Sequence, residues 1–205
     1  EMASEIAGTG YFLPEKVIKN QYFEDRNPLW QYDKDGHRVG DPIYTSDEWI
    51  MQRMGVAERR EAGEDEYVHH LGAKAAEKAL KAARMKAEDL DGIIFATITQ
   101  QGNFPSAACL TQEIIGARNA KDVYDLGAAC AGFPLALRNA HLALQESKGA
   151  YLVIAAETLR KVTDDTDANA PLFGDGAGAV ILRYTDEEKG ILAYSPSSNP
   201  FDGKC

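Results

Sequence analysis

Segments typical of β-strands alternate with segments typical of helices along most of the chain. Residues 92–99 (GIIFATIT) form an unbroken β-prone run, as expected of a strand that is buried on both faces. Between residues 66 and 85, apolar side chains recur at every fourth position, which predicts an amphipathic helix. Alternation of this kind predicts a mostly parallel sheet with helices on its faces. The sequence therefore predicts an α/β protein with the element order βαβαβαββ, followed by a further short strand.

The individual elements follow from the same patterns. The predicted strands cover residues 6–13, 92–99, 122–129, 151–156, 179–184 and 190–194, and the predicted long helices cover residues 66–85, 105–115 and 131–145. The last of these helices is apolar around most of its circumference, so we expect it to be enclosed on both sides. A polar insert at about residues 26–44 contains Asp35-Gly36, which predicts a tight turn in a small hairpin. A short helix should follow, capped by Thr45 or Ser46 and ended by Gly55.

Composition limits the partners and the location of the chain. Its 205 residues carry 22 Lys and Arg against 32 Asp and Glu, a net charge of −10, which argues against a nucleic-acid partner. No apolar run approaches the roughly 18 residues that a membrane span needs, and the first residues lack the features of a signal peptide. The cysteines Cys109, Cys130 and Cys205 are odd in number and widely spaced, which predicts neither disulfides nor a metal site. We expect a cytoplasmic protein that binds no nucleic acid, membrane or metal.

Cys130 carries the strongest chemical signal. The small residues 127–129 (GAA) separate it from a predicted strand, and a predicted helix begins directly after it. Small neighbours permit a sharp turn that projects one side chain, as in nucleophile elbows. The helix dipole would favour the thiolate, and the backbone N–H of Cys130 would face a developing oxyanion. The alternative is a small cysteine packed in the core, but its position favours the nucleophile. For Cys109, core packing is the better interpretation, and Cys205 receives no role.

Five sequence blocks carry a resemblance to a known family. They are Thr45-Ser46-Asp47-Glu48-Trp49-Ile50 with Arg53, Gly55 and Glu58-Arg59; Asn103-Phe104-Pro105-Ser106-Ala107; Ala129-Cys130-Ala131-Gly132-Phe133; Ala155-Ala156-Glu157-Thr158; and Leu172-Phe173-Gly174-Asp175-Gly176-Ala177-Gly178-Ala179. Together they resemble β-ketoacyl-acyl-carrier-protein synthase III, a condensing enzyme of the thiolase superfamily. The resemblance runs from residue 8 to about residue 195, and it is highly specific because the blocks occur in the family's order.

The resemblance implies the αβαβα layered thiolase fold in a cytoplasmic homodimer. Residues 1–205 would form the N-terminal half, and the C-terminal half, with the catalytic His and Asn of the family, would lie beyond this chain. We expect this portion alone to be inactive. The histidines of the chain do not match the context of that catalytic His. His37 lies in the insert, His69 and His70 lie on a helix that matches a surface element, and His141 is interpreted as a satisfied core histidine.

The family is an acyltransferase of fatty-acid and related biosynthesis without a permanently bound cofactor. It moves an acyl group from coenzyme A to the cysteine, and it then condenses that thioester with malonyl-acyl carrier protein, with loss of carbon dioxide. The resemblance therefore implies acyl-CoA and acyl carrier protein as partners. Two alternatives stay open. One is a synthase-III-like acyltransferase that uses an oxygen or nitrogen acceptor, and the other is a half-length subunit without catalytic activity.

The resemblance also assigns individual residues to the site. Cys130 would accept the acyl group. Trp49 would stack on the adenine of coenzyme A, with Arg53 as a nearby contact. Phe104 would enter the acyl pocket of the partner subunit, and Phe173 is assigned to the substrate pocket as well. The alternatives are packing for the two aromatic residues Trp49 and Phe104, and a solvated charge for Arg53.

Two features depart from the family pattern. Asp167 lies where the family often has an arginine that packs on the adenine, so an anion replaces a cation close to the expected cofactor phosphates. The insert at residues 26–44 is longer than the family usually has before its TSDEWI block, and it would reshape the cofactor entrance. The acyl donor therefore stays open between coenzyme A and a carrier protein.

Overall fold

The structure is a computed structural model that describes residues 3–187, 189–191 and 193–195. Its strands are β1 (Ala3–Phe12), β2 (Lys16–Lys19), β3 (Leu29–Tyr32), β4 (Arg38–Ile43), β5 (Glu58–Glu61), β6 (Gly92–Ala96), β7 (Asp122–Leu126), β8 (Ala150–Thr158) and β9 (Asp175–Thr185). Its α-helices are α1 (Gln21–Glu24), α2 (Asp47–Met54), α3 (Val68–Ala83), α4 (Ala107–Ile115) and α5 (Gly132–Ser147). The predicted α/β class and the three predicted long helices are confirmed. None of the helices in these ranges is long and apolar enough to cross a membrane.

Five strands form one sheet in the order β1-β9-β8-β6-β7. β6 pairs in parallel with β7 and β8, whereas β9 pairs antiparallel with β8 and β1. Four of the five strands, β1, β6, β7 and β8, therefore run in the same direction, and β9 runs opposite to them. The expectation of a mostly parallel sheet is confirmed, with β9 as the exception. A parallel return needs a crossover, usually a helix, that carries the chain to the other end of the sheet. Residues 159–174 join β8 to β9 through two short 3-10 turns without an α-helix, so β9 starts at the edge where β8 ends.

Alternate side chains of the central strands enter two different cores. Ile93 and Phe95 of β6 lie with α3 and α4 in one buried cluster, and Ile94 lies with α5 in the other. The two-residue period of a strand places these side chains on opposite faces of the sheet. Burial on both faces explains the unbroken apolar run predicted at residues 92–99, of which the strand occupies residues 92–96. Helices therefore cover both faces of the sheet, in an α/β/α arrangement.

β1 and α3 approach each other closely at two glycines of the strand. A Cβ atom built on Gly10 would overlap the carbonyl oxygen of Ala75, and one built on Gly8 would overlap that of Ala79. Both alanines are fully buried on the apolar stripe of α3 that the sequence predicts. Small residues on both elements thus allow direct contact between the two backbones.

Within the described residues, the sheet covers one side of α5. Its buried residues recur at every fourth position and are Gly132, Ala136, Ala140 and Leu144. Leu142, which points away from that stripe, is 42% exposed. The enclosure of this helix on its second side stays a prediction, because the elements expected to cover that side lie outside this chain.

The predicted hairpin and the short helix after it are both confirmed. β3 and β4 pair antiparallel, and Gly36 takes a φ of +79° in the turn between them. Ser46 caps α2, and Gly55 ends it in the left-handed region. The strand predicted at residues 190–194 is wrong for the residues described there, because Gly190 takes a φ of +86° and interrupts an extended chain. The sequence did not predict the antiparallel ribbon of β2 and β5, whose charged side chains hide any strand alternation.

Candidate active site

Cys130 lies in a tight connection between β7 and α5. The connection contains a 3-10 turn at Ala129–Ala131, and the N–H of Ala131 donates a hydrogen bond of 3.0 Å to the carbonyl of Ala128. Cys130 is exposed. The strand ends earlier than predicted, at Leu126, and α5 begins two residues after the cysteine rather than directly after it. The thiol therefore stands on a short turn just ahead of the helix N-terminus.

Ala129, the residue before the cysteine, has a strained backbone. Its φ is +43°, a left-handed conformation that costs a non-glycine residue about 1–2 kcal/mol. Such strain persists only where the surroundings over-determine the backbone, and it concentrates at functional sites. The turn is thus held in a particular conformation and presents the thiol in a defined direction.

Two contacts fix the turn to the neighbouring strand. The N–H of Thr97, just after β6, donates a hydrogen bond of 3.2 Å to the carbonyl of Leu126. At the start of α5, a Cβ atom built on Gly132 would lie 3.1 Å from the Cβ of Ala96, so this position accepts little beyond a glycine. Together these contacts place Cys130 at the carboxyl edge of the parallel strands.

Glu157 organises the same edge of the sheet. Its carboxylate accepts hydrogen bonds from the Thr97 hydroxyl at 3.1 Å, from the Ile98 N–H at 3.0 Å, and from the Thr99 hydroxyl. The Thr99 oxygen in turn accepts a hydrogen bond of 2.9 Å from the N–H of Thr158. No sequence pattern predicted a role for Glu157. The sequence signal available for this role was a carboxylate at the end of the otherwise apolar strand β8. In the structure that carboxylate accepts hydrogen bonds from the polar groups that follow β6.

Trp49 and Arg53 face each other on α2. The side-chain oxygen of Ser46 accepts a hydrogen bond of 3.1 Å from the N–H of Trp49 and thereby starts the helix. The guanidinium of Arg53 lies 4.7 Å from the Trp49 ring centre, as the i, i+4 spacing allows. The indole is half-buried against a small core that contains Ile50. Trp49 thus packs on one side and keeps an accessible surface, so packing and ligand stacking both stay open.

Phe104 and Phe173 differ in their surroundings. Phe104 is 92% exposed, which makes the alternative of core packing wrong for the described chain. It lies in the loop between β6 and α4, close to Ser106, the N-cap of α4. Phe173 is half-buried and follows a 3-10 turn that leads into β9. Cys130 and Phe104 thus lie in loops that follow adjacent strands of the sheet.

The polar insert is bound to the segment that contains Asp167. Trp30 of β3 and Asp167 form a parallel β-bridge. The Trp30 N–H donates to the carbonyl of Thr166, and the Ala168 N–H donates to the carbonyl of Trp30, each at 2.8 Å. The two features that depart from the family pattern are therefore in direct contact.

Two predictions about residues outside this site are wrong. His69 is buried, with 6% of its surface exposed, rather than on a surface element, and burial lowers its pKa to about 4, with a further contribution from His70. Cys109 is exposed rather than packed, because α4 turns Ala108 and Thr111 inward instead. His141 is hydrogen-bonded, as predicted, because its Nδ1 lies 2.8 Å from the Ser4 hydroxyl, but it is half-buried rather than in the core. Cys205 lies outside the described residues.

The ligand atoms of Asp33, Asp35 and His37 lie within 4.8 Å of one another at the tip of the hairpin, and all three residues are exposed. The turn itself explains this proximity. One oxygen of Asp33 accepts hydrogen bonds of 2.9 Å from the N–H groups of Asp35 and His37.

Comparisons with known proteins show which proteins this chain is similar to. A family profile described as 3-Oxoacyl-[acyl-carrier-protein (ACP)] synthase III matches residues 124–200. The chain is 39% identical over 207 residues to the beta-ketoacyl-[acyl-carrier-protein] synthase III of Listeria monocytogenes serotype 1/2a (strain 10403S), covering 99% of this chain and 60% of the relative. It thus spans about 60% of the length of such curated relatives.

Solved structures show the same similarity. The 3-oxoacyl-[acyl-carrier-protein] synthase III from Aquifex aeolicus VF5 superposes with a TM-score of 0.77 at 39% identity, over 90% of this chain and 55% of that chain. The priming beta-ketosynthase from the R1128 polyketide biosynthetic pathway gives a TM-score of 0.77 at 31% identity, over 90% of this chain and 51% of that chain. The fold is therefore thiolase-like.

Proposed function

This chain belongs to the β-ketoacyl-acyl-carrier-protein synthase III family, and on that premise we propose that it takes part in a decarboxylating condensation of fatty-acid or related biosynthesis. An acyl thioester primes the reaction, and malonyl-acyl carrier protein extends it. The exposed thiol of Cys130, on a strained turn at the carboxyl edge of the parallel strands, is the observation that carries the proposal. Ligands of α/β proteins bind at that edge.

The chemistry assigned to Cys130 is acyl transfer followed by condensation. Its thiolate attacks the carbonyl carbon of the acyl thioester, so that a new C–S bond forms while the bond to the donor sulfur breaks. The donor thiolate then leaves and takes up a proton. Malonyl loses carbon dioxide, and the resulting carbanion attacks the acyl-cysteine carbonyl, which forms the C–C bond and releases Cys130. Backbone N–H groups near the start of α5 would stabilise the oxyanions of both steps.

The other site residues take supporting roles in this proposal. Trp49 and Arg53 hold the nucleotide end of an acyl-CoA donor, since an indole face and a guanidinium suit a purine and a phosphate. Phe173 belongs to the acyl pocket. No cofactor is permanently bound, because the thioester is the substrate. Residues 1–205 supply the N-terminal half of the fold, and the His and Asn that promote decarboxylation come from outside this chain.

We also infer a homodimer in which Phe104 enters the acyl pocket of the partner. Phe104 is 92% exposed, although a phenylalanine normally loses contact with water on folding. β7 lies at the edge of the sheet and pairs on one side with β6, so a second copy can reach its other side. A cytoplasmic location remains a prediction of the sequence.

Intact-protein mass spectrometry tests the assignment of Cys130. The protein at its natural length is incubated with acetyl-CoA and with longer acyl-CoAs, alongside Cys130→Ala and the matched control Cys109→Ala. Both cysteines are exposed, so the control measures non-specific acylation. We expect the mass of one acyl group on the wild type and on Cys109→Ala, and none on Cys130→Ala. An adduct that persists in Cys130→Ala would overturn the assignment.

The release of carbon dioxide separates the possible reactions. With malonyl-acyl carrier protein present, the proposed condensation releases carbon dioxide as the acyl adduct disappears. Loss of the adduct to an oxygen or nitrogen acceptor without carbon dioxide would indicate the alternative acyltransferase. The absence of an adduct with both acyl-CoA and acyl-carrier donors would favour a subunit without catalytic activity.

A further inference from the structure

The hairpin of β3 and β4 is fixed to the rest of the protein along one strand and at its base. Along β3, Trp30 exchanges two backbone hydrogen bonds of 2.8 Å with Thr166 and Ala168. At the base, the side chain of Asn27 makes three hydrogen bonds of 2.7 to 3.0 Å with Thr45. A segment that is held in both places forms a fixed wall rather than a moving lid.

The wall borders the carboxyl edge of the sheet. Residues 159–169 leave the end of β8 at the same edge as Cys130, and the hairpin is bound to this segment. Leu29 of β3 lies in one buried cluster with Ile50 of α2 and with Ala168. The hairpin therefore shares a core with the helix that carries Trp49, and it stands beside the edge where ligands of this fold class bind.

Arg38 at the start of β4 is aligned by two aromatic side chains. Its guanidinium lies 5.0 Å from the ring centre of Trp30, and its Nε donates a hydrogen bond of 3.4 Å to the hydroxyl of Tyr32. That hydroxyl lies 2.7 Å from the side-chain oxygen of Thr166. Within the described residues, Arg38 makes no ion pair with a carboxylate. Its terminal nitrogens are therefore available to an anion.

The carboxylates of Asp164, Asp165 and Asp167 are occupied by other partners. Asp164 accepts hydrogen bonds from the N–H and the hydroxyl of Thr166, at 2.8 and 2.9 Å. Asp167 accepts one of 2.7 Å from the N–H of Asn169. Asp165 pairs with Arg160. Residues 164–169 (DDTDAN) contain no Lys or Arg, so Arg38 is the cation that the hairpin brings to this acidic segment.

Arg53 on α2 repeats the arrangement, since its guanidinium also lies over a tryptophan and makes no ion pair in the described part of the chain. A guanidinium stacked on an indole is oriented, and it presents paired donors that match the oxygens of a phosphate. Two such pairs on elements that share one core suit a phosphate-bearing ligand.

We propose that Arg38 is a specificity-determining residue that binds a phosphate group of the acyl donor and replaces the cation missing from residues 164–169. The proposal rests on the proposed function for the identity of the donor. Coenzyme A and the phosphopantetheine arm of a carrier protein both contain such a phosphate, so the chemistry is the same for either source. The insert thus compensates for Asp167 instead of excluding phosphate-bearing donors.

Calorimetric titration tests this binding without depending on catalysis. Coenzyme A, pantetheine and a holo-acyl carrier protein are titrated into Cys130→Ala at natural length, and into the same protein with Arg38→Gln or with Lys34→Gln. Lys34 is an exposed cation at the tip of the same hairpin, so its variant controls for net charge. Thermal melting of each variant shows whether the hairpin core is intact.

We expect Arg38→Gln to raise the Kd for a phosphate-bearing ligand roughly tenfold, as for loss of a charge-assisted hydrogen bond, and to leave pantetheine binding unchanged. A raised Kd for coenzyme A identifies coenzyme A as the donor whose phosphate Arg38 binds. A raised Kd for the holo-acyl carrier protein alone identifies the carrier protein as that donor. If Arg38→Gln lost as much affinity for pantetheine as for coenzyme A, or lost no affinity for any ligand, the proposal would be overturned. If the acylation test fails while Arg38→Gln still weakens coenzyme A binding, only the proposed catalysis is refuted.

Discussion

The side chain of Asn27 pairs with the backbone of Thr45 in the way that a neighbouring strand would. Its amide nitrogen donates to the Thr45 carbonyl at 2.7 Å, and its amide oxygen accepts from the Thr45 N–H at 2.8 Å. The Thr45 hydroxyl donates to the same oxygen at 3.0 Å. One side chain therefore closes the base of the hairpin and sets the start of α2, whose cap is the next residue, Ser46.

We expect Asn27→Ala to lower the free energy of unfolding by about 1–3 kcal/mol, because Thr45 is buried and its N–H would lose its partner. Urea denaturation measures this loss. Asn119→Ala is the control, since Asn119 is exposed and its amide makes a single hydrogen bond to a carbonyl. Equal losses in the two variants would show that the contact with Thr45 does not stabilise the fold.

Gly10→Ala should destabilise the protein severely, because the new Cβ would overlap the Ala75 carbonyl oxygen and force β1 away from α3. Overpacking of this kind costs about 1–3 kcal/mol or more. The control is Gly102→Ala, where a Cβ meets no atom within 4 Å. Thermal melting should show a lower Tm for the first variant and an unchanged Tm for the second. A Gly10→Ala variant as stable as the wild type would contradict the close packing.

Stability should fall in acid partly through His69. Burial, together with His70, lowers the pKa of His69 to about 4 in the folded protein, whereas an exposed histidine has a pKa of 6.5. As the pH falls from 6.5 to 4, the unfolded chain binds a proton that the folded chain excludes, so the free energy of unfolding decreases. The full effect is roughly 3 kcal/mol.

Urea denaturation across this pH range isolates the contribution of His69. His69→Gln should show a shallower decline in stability with acid than the wild type, while the exposed His37→Gln should follow the wild type. If the pH dependence of His69→Gln matched that of the wild type, His69 would not be the responsible group.

Asp125→Ala should weaken the attachment of α4 to the sheet. The two carboxylate oxygens of Asp125 accept hydrogen bonds of 2.8 Å from the N–H groups of Ala107 and Ala108, at the start of the helix. Loss of such a charged cap costs about 1–2 kcal/mol, which chemical denaturation would detect. Asp125→Asn keeps one acceptor oxygen, so it should lose less stability than Asp125→Ala. If the two variants lost the same stability, the Asp125 carboxylate would not act as a cap of α4.

Local patterns predicted most of the elements. The apolar period of α3, the buried run of β6, the Asp-Gly turn before β4 and the cap and stop of α2 all lie within short windows of sequence, and each is present in the structure. Part of the candidate site could also be predicted from local sequence, since small residues around Cys130 predict a tight turn. The polar network of Glu157 was missed, because its partners Thr97 and Thr99 lie about 60 positions away.

What the sequence by itself determined is therefore the α/β class, the two-sided burial of the central strands and the turn that carries Cys130. These features depend on periodicity and on the conformational limits of neighbouring residues. Only the tertiary structure decided that β9 returns antiparallel, that His69 is buried, and that the hairpin is bound beside Asp167. Tyr32 and Thr166, which meet there, are separated by 134 positions. Contacts between distant segments depend on how complete elements pack against one another, which no local pattern encodes.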